Sequence, residues 1–209
     1  MKDLIIVGAG GFGRELLQWV KDINAQTPTW NIKGFLDDND KALDGFECDY
    51  NVIGSIKDWK PSDNEVFALA IGNPETKVRV VEIITSKGGN FVDVIHPTAS
   101  ISSFCKTGKG LVMYPNTRLS PNVVIGDYVT LLSGAGHNAE VGDYSTISSY
   151  CDITGGVKLG KKVFFGSHVT VVPERKIGDS VFAAAGSVIM TNIHAGNRVM
   201  GNPAKKYEL

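Results

Sequence analysis

Cysteine is scarce in this chain of 209 residues, and its three copies, Cys48, Cys105 and Cys151, stand at wide, unpatterned spacing. An odd number with no close pair excludes a disulfide framework and reads as small core residues. No group of His, Cys, Asp and Glu shows metal-ligand spacing, so neither a structural nor a catalytic metal is expected. Long hydrophobic runs are missing too, which leaves no candidate membrane span. The opening Met1-Lys2-Asp3 runs straight into a short strand, without the apolar stretch and small-residue cleavage site of a signal peptide. The cytoplasm is therefore the expected compartment. Charge of one sign is absent: 21 Lys and Arg face 22 Asp and Glu, which offers no basic surface to nucleic acid or to a membrane. What remains, 43% hydrophobic and 21% charged residues, is ordinary for a globular protein. The length suits two small domains, each able to bury a core.

Glycine, in contrast, has 24 copies, as a chain with many tight corners requires. Their cause is a repeat. From Val141 a branched or small apolar residue returns every sixth position, through Ile147, Ile153, Leu159, Phe165, Val171, Ile177 and Ala183 to Ile189. A second small or apolar residue sits four places after most of these, as at Ser145, Cys151 and Val157. A period of six belongs neither to a helix nor to a flat strand. It describes short strands with two inward side chains, then a bend, three times per coil: a parallel β-helix built from hexapeptides. The same ladder runs upstream through Ile95, Ile101, Thr107, Met113, Leu119, Ile125 and Leu131, but Val141 follows Leu131 by ten residues where an unbroken ladder needs twelve. The register therefore slips by two within 133–140, a stretch that contains His137. An irregular bend in a regular scaffold exposes a side chain that the repeat would hide, and such features gather at working sites.

Residues 1–90 follow another pattern. Leu4-Ile5-Ile6-Val7 is a continuous apolar run, suited to a strand buried on both faces of a parallel sheet. It feeds Gly8-Ala9-Gly10-Gly11-Phe12-Gly13 and then Arg14–Lys21 at helical spacing. In that context a glycine loop brings phosphate to the backbone N–H groups of a helix N-terminus. Residues 32–36 read as a second strand ending in Asp37-Asp38, and residues 66–71 as a third ending in Gly72-Asn73, with a helix from about Glu75. Only three or four strands fit before the ladder begins, so this half-size fold suits one nucleoside diphosphate rather than NAD. Asp37 or Asp38, at the tip of the second strand, is placed to accept hydrogen bonds from a ribose hydroxyl or a base edge.

Together, GAGGFGRE at the N-terminus, LDDN after the second strand, AIGN after the third, the hexapeptide ladder and the terminal Gly201-Asn202-Pro203-Ala204-Lys205 resemble one family over essentially the whole chain. It is the sialic-acid O-acetyltransferase and bacillosamine-type sugar N-acetyltransferase group of left-handed β-helix proteins. The resemblance implies a Rossmann-like nucleotide-sugar-binding α/β half domain over 1–90. Over 91–209 it implies a left-handed parallel β-helix that binds acetyl-CoA, the whole working as a homotrimer with the acetyl-CoA co-substrate between neighbouring β-helices. By the same resemblance the catalytic histidine is His137, Asn138 stands where relatives carry an acid that raises its basicity, and the segment before the histidine is two residues shorter than theirs. The nucleotide site falls on Gly10, Gly11, Phe12, Asp37, Asp38 and Gly72. Coenzyme-A positions fall on Thr146, where some members contact the thioester through a histidine, and on Gly155, Ser167 and Ala185.

Acetyl transfer from a thioester needs a proton acceptor and a site for the developing oxyanion. A neutral imidazole, whose ordinary pKa is near 6.5, is a suitable base at neutral pH. The expected oxyanion donors are the backbone N–H groups of Gly134-Ala135-Gly136, and the acid missing at Asn138 is sought in Glu140, Asp143 or a neighbouring chain. Lys205-Lys206 suit the phosphates of coenzyme A. His96 is expected to be structural, His194 to lie in a polar tail beyond the last coil, and His168 to sit on a different corner from His137. The expected activity is N-acetylation of a UDP- or dTDP-linked amino-deoxy sugar for surface glycans. O-acetylation of a sugar of the sialic acid type, a non-catalytic trimeric sugar-nucleotide binding protein and, from the glycine loop alone, an NAD-linked oxidoreductase are the alternatives.

Overall fold

Leu4, Ile5, Ile6 and Val7 have no solvent exposure, and this places their strand, β1 (Lys2–Val7), inside a sheet. The computed structural model describes residues 1–208 and divides into two units, Met1–Pro97 and Thr98–Leu209. In the first, β1 is flanked by β2 (Trp30–Leu36) and β4 (Glu65–Leu69), with β3 (Val52–Gly54) at the far edge, in the order β3-β2-β1-β4. All three pairings are parallel. The chain runs from β1 outward through β2 to β3, then returns to the opposite side of β1, so the strand order reverses between β1 and β4.

Between β1 and β2, α1 (Gly11–Gln26) buries Leu16, Leu17, Trp19 and Val20. It starts close to the sheet because Gly13 has no side chain: a Cβ there would overlap the Gly8 carbonyl oxygen. After β4, α2 (Pro74–Ser86) begins at an Asn73 cap that accepts the Thr76 N–H at 2.9 Å, with proline in the first turn where a missing N–H costs nothing. His96 is buried, with Nε2 at 3.2 Å from Asp22 Oδ2. It is structural, as expected.

The second unit is the parallel β-helix. Each coil has three sides, and their inward residues stack into three faces. Face 1 carries Ile101, Leu119, Ala135, Ile153, Val171 and Ile189. Face 2 carries Thr107, Ile125, Val141, Leu159, Ile177 and Ile193. Face 3 carries Met113, Leu131, Ile147, Phe165, Ala183 and Val199. Most of these side chains are fully buried, and burying one such aliphatic group is worth about 1.5–3 kcal/mol.

Corners repeat as strictly as sides. Three places after a ladder residue the backbone turns left-handed, as at Tyr144, Tyr150, Lys162, His168, Glu174 and Ser180, with φ between 55° and 62°. For a residue other than glycine that costs roughly 1–2 kcal/mol. It is held by a bond to the coil below, such as Gly156 N–H to the His137 carbonyl at 2.9 Å and Glu174 N–H to the Gly155 carbonyl at 3.0 Å. Where face 2 turns into face 3, aspartates stitch the coils. Asp127 Oδ1 accepts the Lys109 N–H at 3.0 Å, Asp143 Oδ1 accepts the Asp127 N–H at 3.0 Å, and Asp179 Oδ1 accepts the Lys161 N–H at 2.8 Å.

Two sides break the count. Leu119 pairs with Ala135, sixteen residues on, where regular coils return after eighteen, as from Ala135 to Ile153. The loss lies between Leu131 and Ser133. There the corner from face 3 to face 1 consists of Leu132 alone, and the left-handed series passes from Tyr128 to Asn138 without a member between. Ser133 has become the small inward residue of its side: its Oγ accepts the Cys151 N–H at 2.7 Å, as Ser145 Oγ accepts the Val163 N–H at 3.0 Å. The expectation that the slip contains His137 is therefore corrected. The missing residues precede it, and His137 stands on a corner of regular length.

A second shortening was not anticipated. Ile177 bridges Ile193, again after sixteen residues, and Met190 alone makes that corner, from face 1 to face 2. The ladder thus continues past Ile189 to Val199, and His194 lies exposed on a coil rather than in a tail. The chain ends by folding Lys205–Lys206 antiparallel onto Arg198–Met200.

Lys77 in α2 has no solvent exposure, and burial pushes its ammonium down to about 7. Its folded pKa lies below its unfolded one, so between about pH 7 and 10 the unfolded chain binds the extra proton and stability rises with pH. Denaturant titrations at several pH values in that window are expected to show this rise in the native protein and its loss in Lys77→Met.

Candidate active site

The carboxyl ends of the parallel strands gather every residue proposed for the nucleotide. Gly10 and Gly11 follow β1, Asp37 and Asp38 follow β2, and Gly72 follows β4. Gly10 and Gly11 on one side and Gly72 on the other flank the point where strand order reverses, which is where ligands bind in open parallel sheets. Their glycines also differ in kind. Gly8 and Gly13 are required by the fold, because a Cβ at either would collide with backbone. At Gly10, Gly11 and Gly72 a Cβ would meet nothing within 4 Å. The packing of the protein gives no reason for glycine there, and the bare backbone is open to close approach. Gly10 caps α1 without a side-chain bond, and the first turn holds no acidic residue, so the positive end of the helix faces outward.

Asp37 is tied down. Its Oδ2 accepts the Ala9 N–H at 2.8 Å and its Oδ1 the Asn39 N–H at 2.9 Å. It clamps the glycine loop to β2, a structural duty that the reading of Asp37 as a ribose acceptor did not include. Asp38 is more exposed, and its Oδ1 takes the Ile56 N–H at 3.0 Å. Phe12 packs edge-on against Trp19, centroids 5.8 Å apart.

In the β-helix, His137 is exposed on the corner from face 1 to face 2. Its Nδ1 lies 3.2 Å from Asn138 Nδ2, and Asn138 takes the left-handed corner position at φ 59°, a conformation that asparagine tolerates well. One coil on stands Gly155. A methyl group built there would lie 2.5 Å from His137 Nε2 and closer still to Cε1. The imidazole therefore occupies the place of the missing side chain: Gly155 is its seat.

The shortened corner opens the surface beside it. A cleft of about 500 Å³ on face 1 is lined by Arg118, Gly134, Ala135, Gly136 and Asp152 among others. A second, of about 520 Å³, is lined by Leu132, Ser133, Gly134, Ser149 and Tyr150 among others, where the corner is missing.

Other expected positions separate. Ser167 and Ala185 lie on the corner from face 3 to face 1, away from His137, and Thr146 is buried on face 3. His168 shares the corner of Ser167 and stacks on Tyr150 at 5.0 Å. Of the proposed oxyanion donors, the Ala135 N–H is spent on the Arg118 carbonyl at 2.9 Å and the Gly136 N–H on the Ile153 carbonyl at 2.7 Å, which corrects that assignment and leaves only Gly134 of the three. Neither nearby acid reaches the ring. Glu140 pairs with Lys158 at 2.7 Å, and Asp143 pairs with Lys161 at 2.8 Å, which holds its carboxyl below the usual range. Lys206 lies 3.7 Å from Glu208. No metal-binding group occurs among the described residues, and none of their helices is long and apolar enough to cross a membrane.

Residues 3–84 match the PglD N-terminal domain. Over 212 aligned residues, covering 96% of this chain and 94% of the relative, the protein is 28% identical to GDP-perosamine N-acetyltransferase of Escherichia coli O157:H7. The acetyltransferase domain of PglB from Neisseria gonorrhoeae FA1090, solved with acetyl coenzyme A, superposes with a TM-score of 0.86 at 26% identity, covering 99% of both chains. PerB from Caulobacter crescentus, solved with CoA and GDP-perosamine, shares the fold at TM-score 0.88 and 20% identity, over 100% of this chain and 98% of that one. Residues 3–84 thus carry a PglD-type N-terminal domain, and the whole chain is similar, in sequence and in its left-handed parallel β-helix fold, to sugar N-acetyltransferases of the hexapeptide-repeat kind.

Proposed function

We propose that the protein transfers acetyl from acetyl-CoA to the amine of a nucleotide-linked amino-deoxy sugar, as a homotrimer with the thioester held between neighbouring β-helices. The observation that carries this reading is His137: an exposed imidazole at a β-helix corner, Nδ1 engaged by Asn138, ring seated on Gly155 beside a polar cleft. Similarity to a sugar N-acetyltransferase over nearly the whole chain and the likeness to an acetyl-CoA-bound domain support the acyl donor. The open glycine positions at the strand-order reversal support a nucleoside diphosphate on the first unit. The E. coli relative is named for a GDP-sugar, so guanosine joins uridine and thymidine as a candidate base.

In this reading the acceptor nitrogen attacks the thioester carbonyl carbon while its proton passes to His137 Nε2. The new C–N bond forms as the carbonyl electrons move to oxygen. Collapse of that oxyanion breaks the C–S bond, and the departing thiolate takes the proton back from the imidazolium. For Nε2 to accept, the ring proton must sit on Nδ1 and needs an acceptor there. The Asn138 amide, turned with its oxygen toward the ring, supplies one, and orienting an Asn amide is a choice the hydrogen-bond network decides.

Release of free thiol from acetyl-CoA in the presence of GDP-perosamine, or of UDP- or dTDP-linked 4-amino sugars, tests the reading, and silence with all of them would end it. His137→Ala is expected to lower kcat by ~10²–10⁴-fold, the usual contribution of a general base. Gly155→Ala forces the imidazole off its seat, and a fall in kcat of about tenfold or more is expected, with the unfolding midpoint nearly unmoved because the ring is exposed. Full activity in Gly155→Ala would mean that the ring's position does not matter. Gly11→Ala meets no atom of the protein, so the free protein's midpoint should hold. The stabilisation of ~2.7 kcal/mol that a ligand gives at 100 times its Kd should shrink or vanish when the nucleotide sugar is added.

A further inference from the structure

Two opposite charges on face 1 of the β-helix have no assigned work. Arg118 and Asp152 both occupy the outward position just before a ladder residue of that face, preceding Leu119 and Ile153. Between them in the stack comes Gly134, preceding Ala135. They are therefore two coils apart, roughly 9–10 Å at the usual strand spacing. The coil that separates them presents no side chain outward. Gly134 is drawn in by the shortened corner until a Cβ on it would touch the Arg118 backbone, its carbonyl oxygen at 2.5 Å. Both charged residues are exposed, and neither makes an ion pair with the other or elsewhere among the described residues. Both line the 500 Å³ cleft, whose remaining lining includes the hydroxyl side chains of Ser100, Ser120 and Thr154. Gly136, the neighbour of His137, lines it as well.

A guanidinium and a carboxylate on one cleft, two coils apart with glycine between them and hydroxyls around them, match a ligand that carries several donors and acceptors on a small ring. The pantetheine arm of coenzyme A fits poorly. It is uncharged and partly apolar, and along it both ionised groups would be desolvated without a partner. We propose that this depression is the subsite for the acceptor's sugar ring, with the Asp152 carboxylate accepting hydrogen bonds from ring hydroxyls and the Arg118 guanidinium donating to ring or hydroxyl oxygens. Its place beside the His137 corner then makes Arg118 and Asp152 specificity residues for the sugar. The proposal rests on the acetyl-transfer reading above and adds to it where the sugar lies.

The test uses the full-length protein with acetyl-CoA and GDP-perosamine, or whichever amino-sugar nucleotide the native enzyme turns over. Asp152→Asn and Arg118→Gln are each expected to raise KM for the sugar nucleotide about tenfold, while KM for acetyl-CoA stays within about twofold. Lys176→Gln, on face 2, should change neither. Oligomeric state by light scattering and the unfolding midpoint should match the native protein in every variant. An acetyl-CoA KM that rises instead would make the depression part of the coenzyme site. Loss of assembly would make it a subunit contact, and unmoved constants would leave it without a role. Each of these overturns the proposal. A native enzyme with no turnover at all removes the underlying reading; an active native enzyme with unaltered variants removes the subsite alone.

Discussion

Every coil of this β-helix must offer the next one the same row of parallel hydrogen bonds, and that requirement governs where the chain is free to vary. A residue lost from a side would shift one inward pair out of register and turn apolar groups to solvent. A residue lost from a corner leaves the sides in place. Both shortenings obey this rule. Leu132 and Met190 each replace a three-residue corner, and in each case the next ladder residue, Ala135 or Ile193, pairs with the stack again. The shortening at Leu132 borders the clefts around Gly134, while the ladder residues on either side of it, Leu131 and Ala135, stay buried. A site can be cut into such a stack without unpicking it, because stability is carried by nearest-neighbour coils.

Glycine has different meanings at different places in this chain, and the surroundings of its absent Cβ tell them apart. Gly8 and Gly13 let a helix start against a strand, and Gly126 and Gly142 leave room for the carboxylates and backbone of the next coil. These glycines are filled by the protein. At Gly10, Gly11 and Gly72 a Cβ would meet nothing, which leaves these stretches of backbone open to close approach. Gly155 is a third case, filled by the His137 side chain. The His137 imidazole leans into the gap, so the glycine one coil away governs where Nε2 can be.

Much of this was legible from residue order. A period of six has one simple structural meaning, and the ladder, its three faces and the sheet-forming run of β1 followed from it or from plain apolar continuity. The size of the slip was legible as well, but not its place. Ala135 is both small and apolar, so it serves equally as the second inward residue after Leu131 or as the ladder residue itself; only its bridges to Leu119 and Ile153 decide. The ladder's continuation past Ile189 was hidden by the same arithmetic, since a gap of ten reads as an ending when no regular stretch follows. The clamp from Asp37 to the glycine loop is a side-chain bond to a backbone N–H across 28 residues, and no pattern of types reveals it. Arg118 and Asp152 were in plain view as outward residues around a glycine, yet their relation appears only when the lost corner brings Gly134 between them.

An amide beside the histidine in place of a carboxylate bears on which acceptor the site suits. Asn138 can hold the ring and select its tautomer, but it adds no charge to favour the imidazolium as the proton arrives. A hydroxyl acceptor gives up its proton with difficulty and needs a strong base at the moment of attack. A neutral amine is already nucleophilic, and its proton becomes acidic only after the C–N bond has begun to form, so a weaker, well-placed base is sufficient. The demand then moves from basicity to position, and position is what the structure provides. The ring is bracketed by an amide on Nδ1 and a glycine seat under Nε2. With Glu140 and Asp143 committed to lysines on other parts of the coil, neither compensates for the amide, and an amine is the acceptor that asks least of the base.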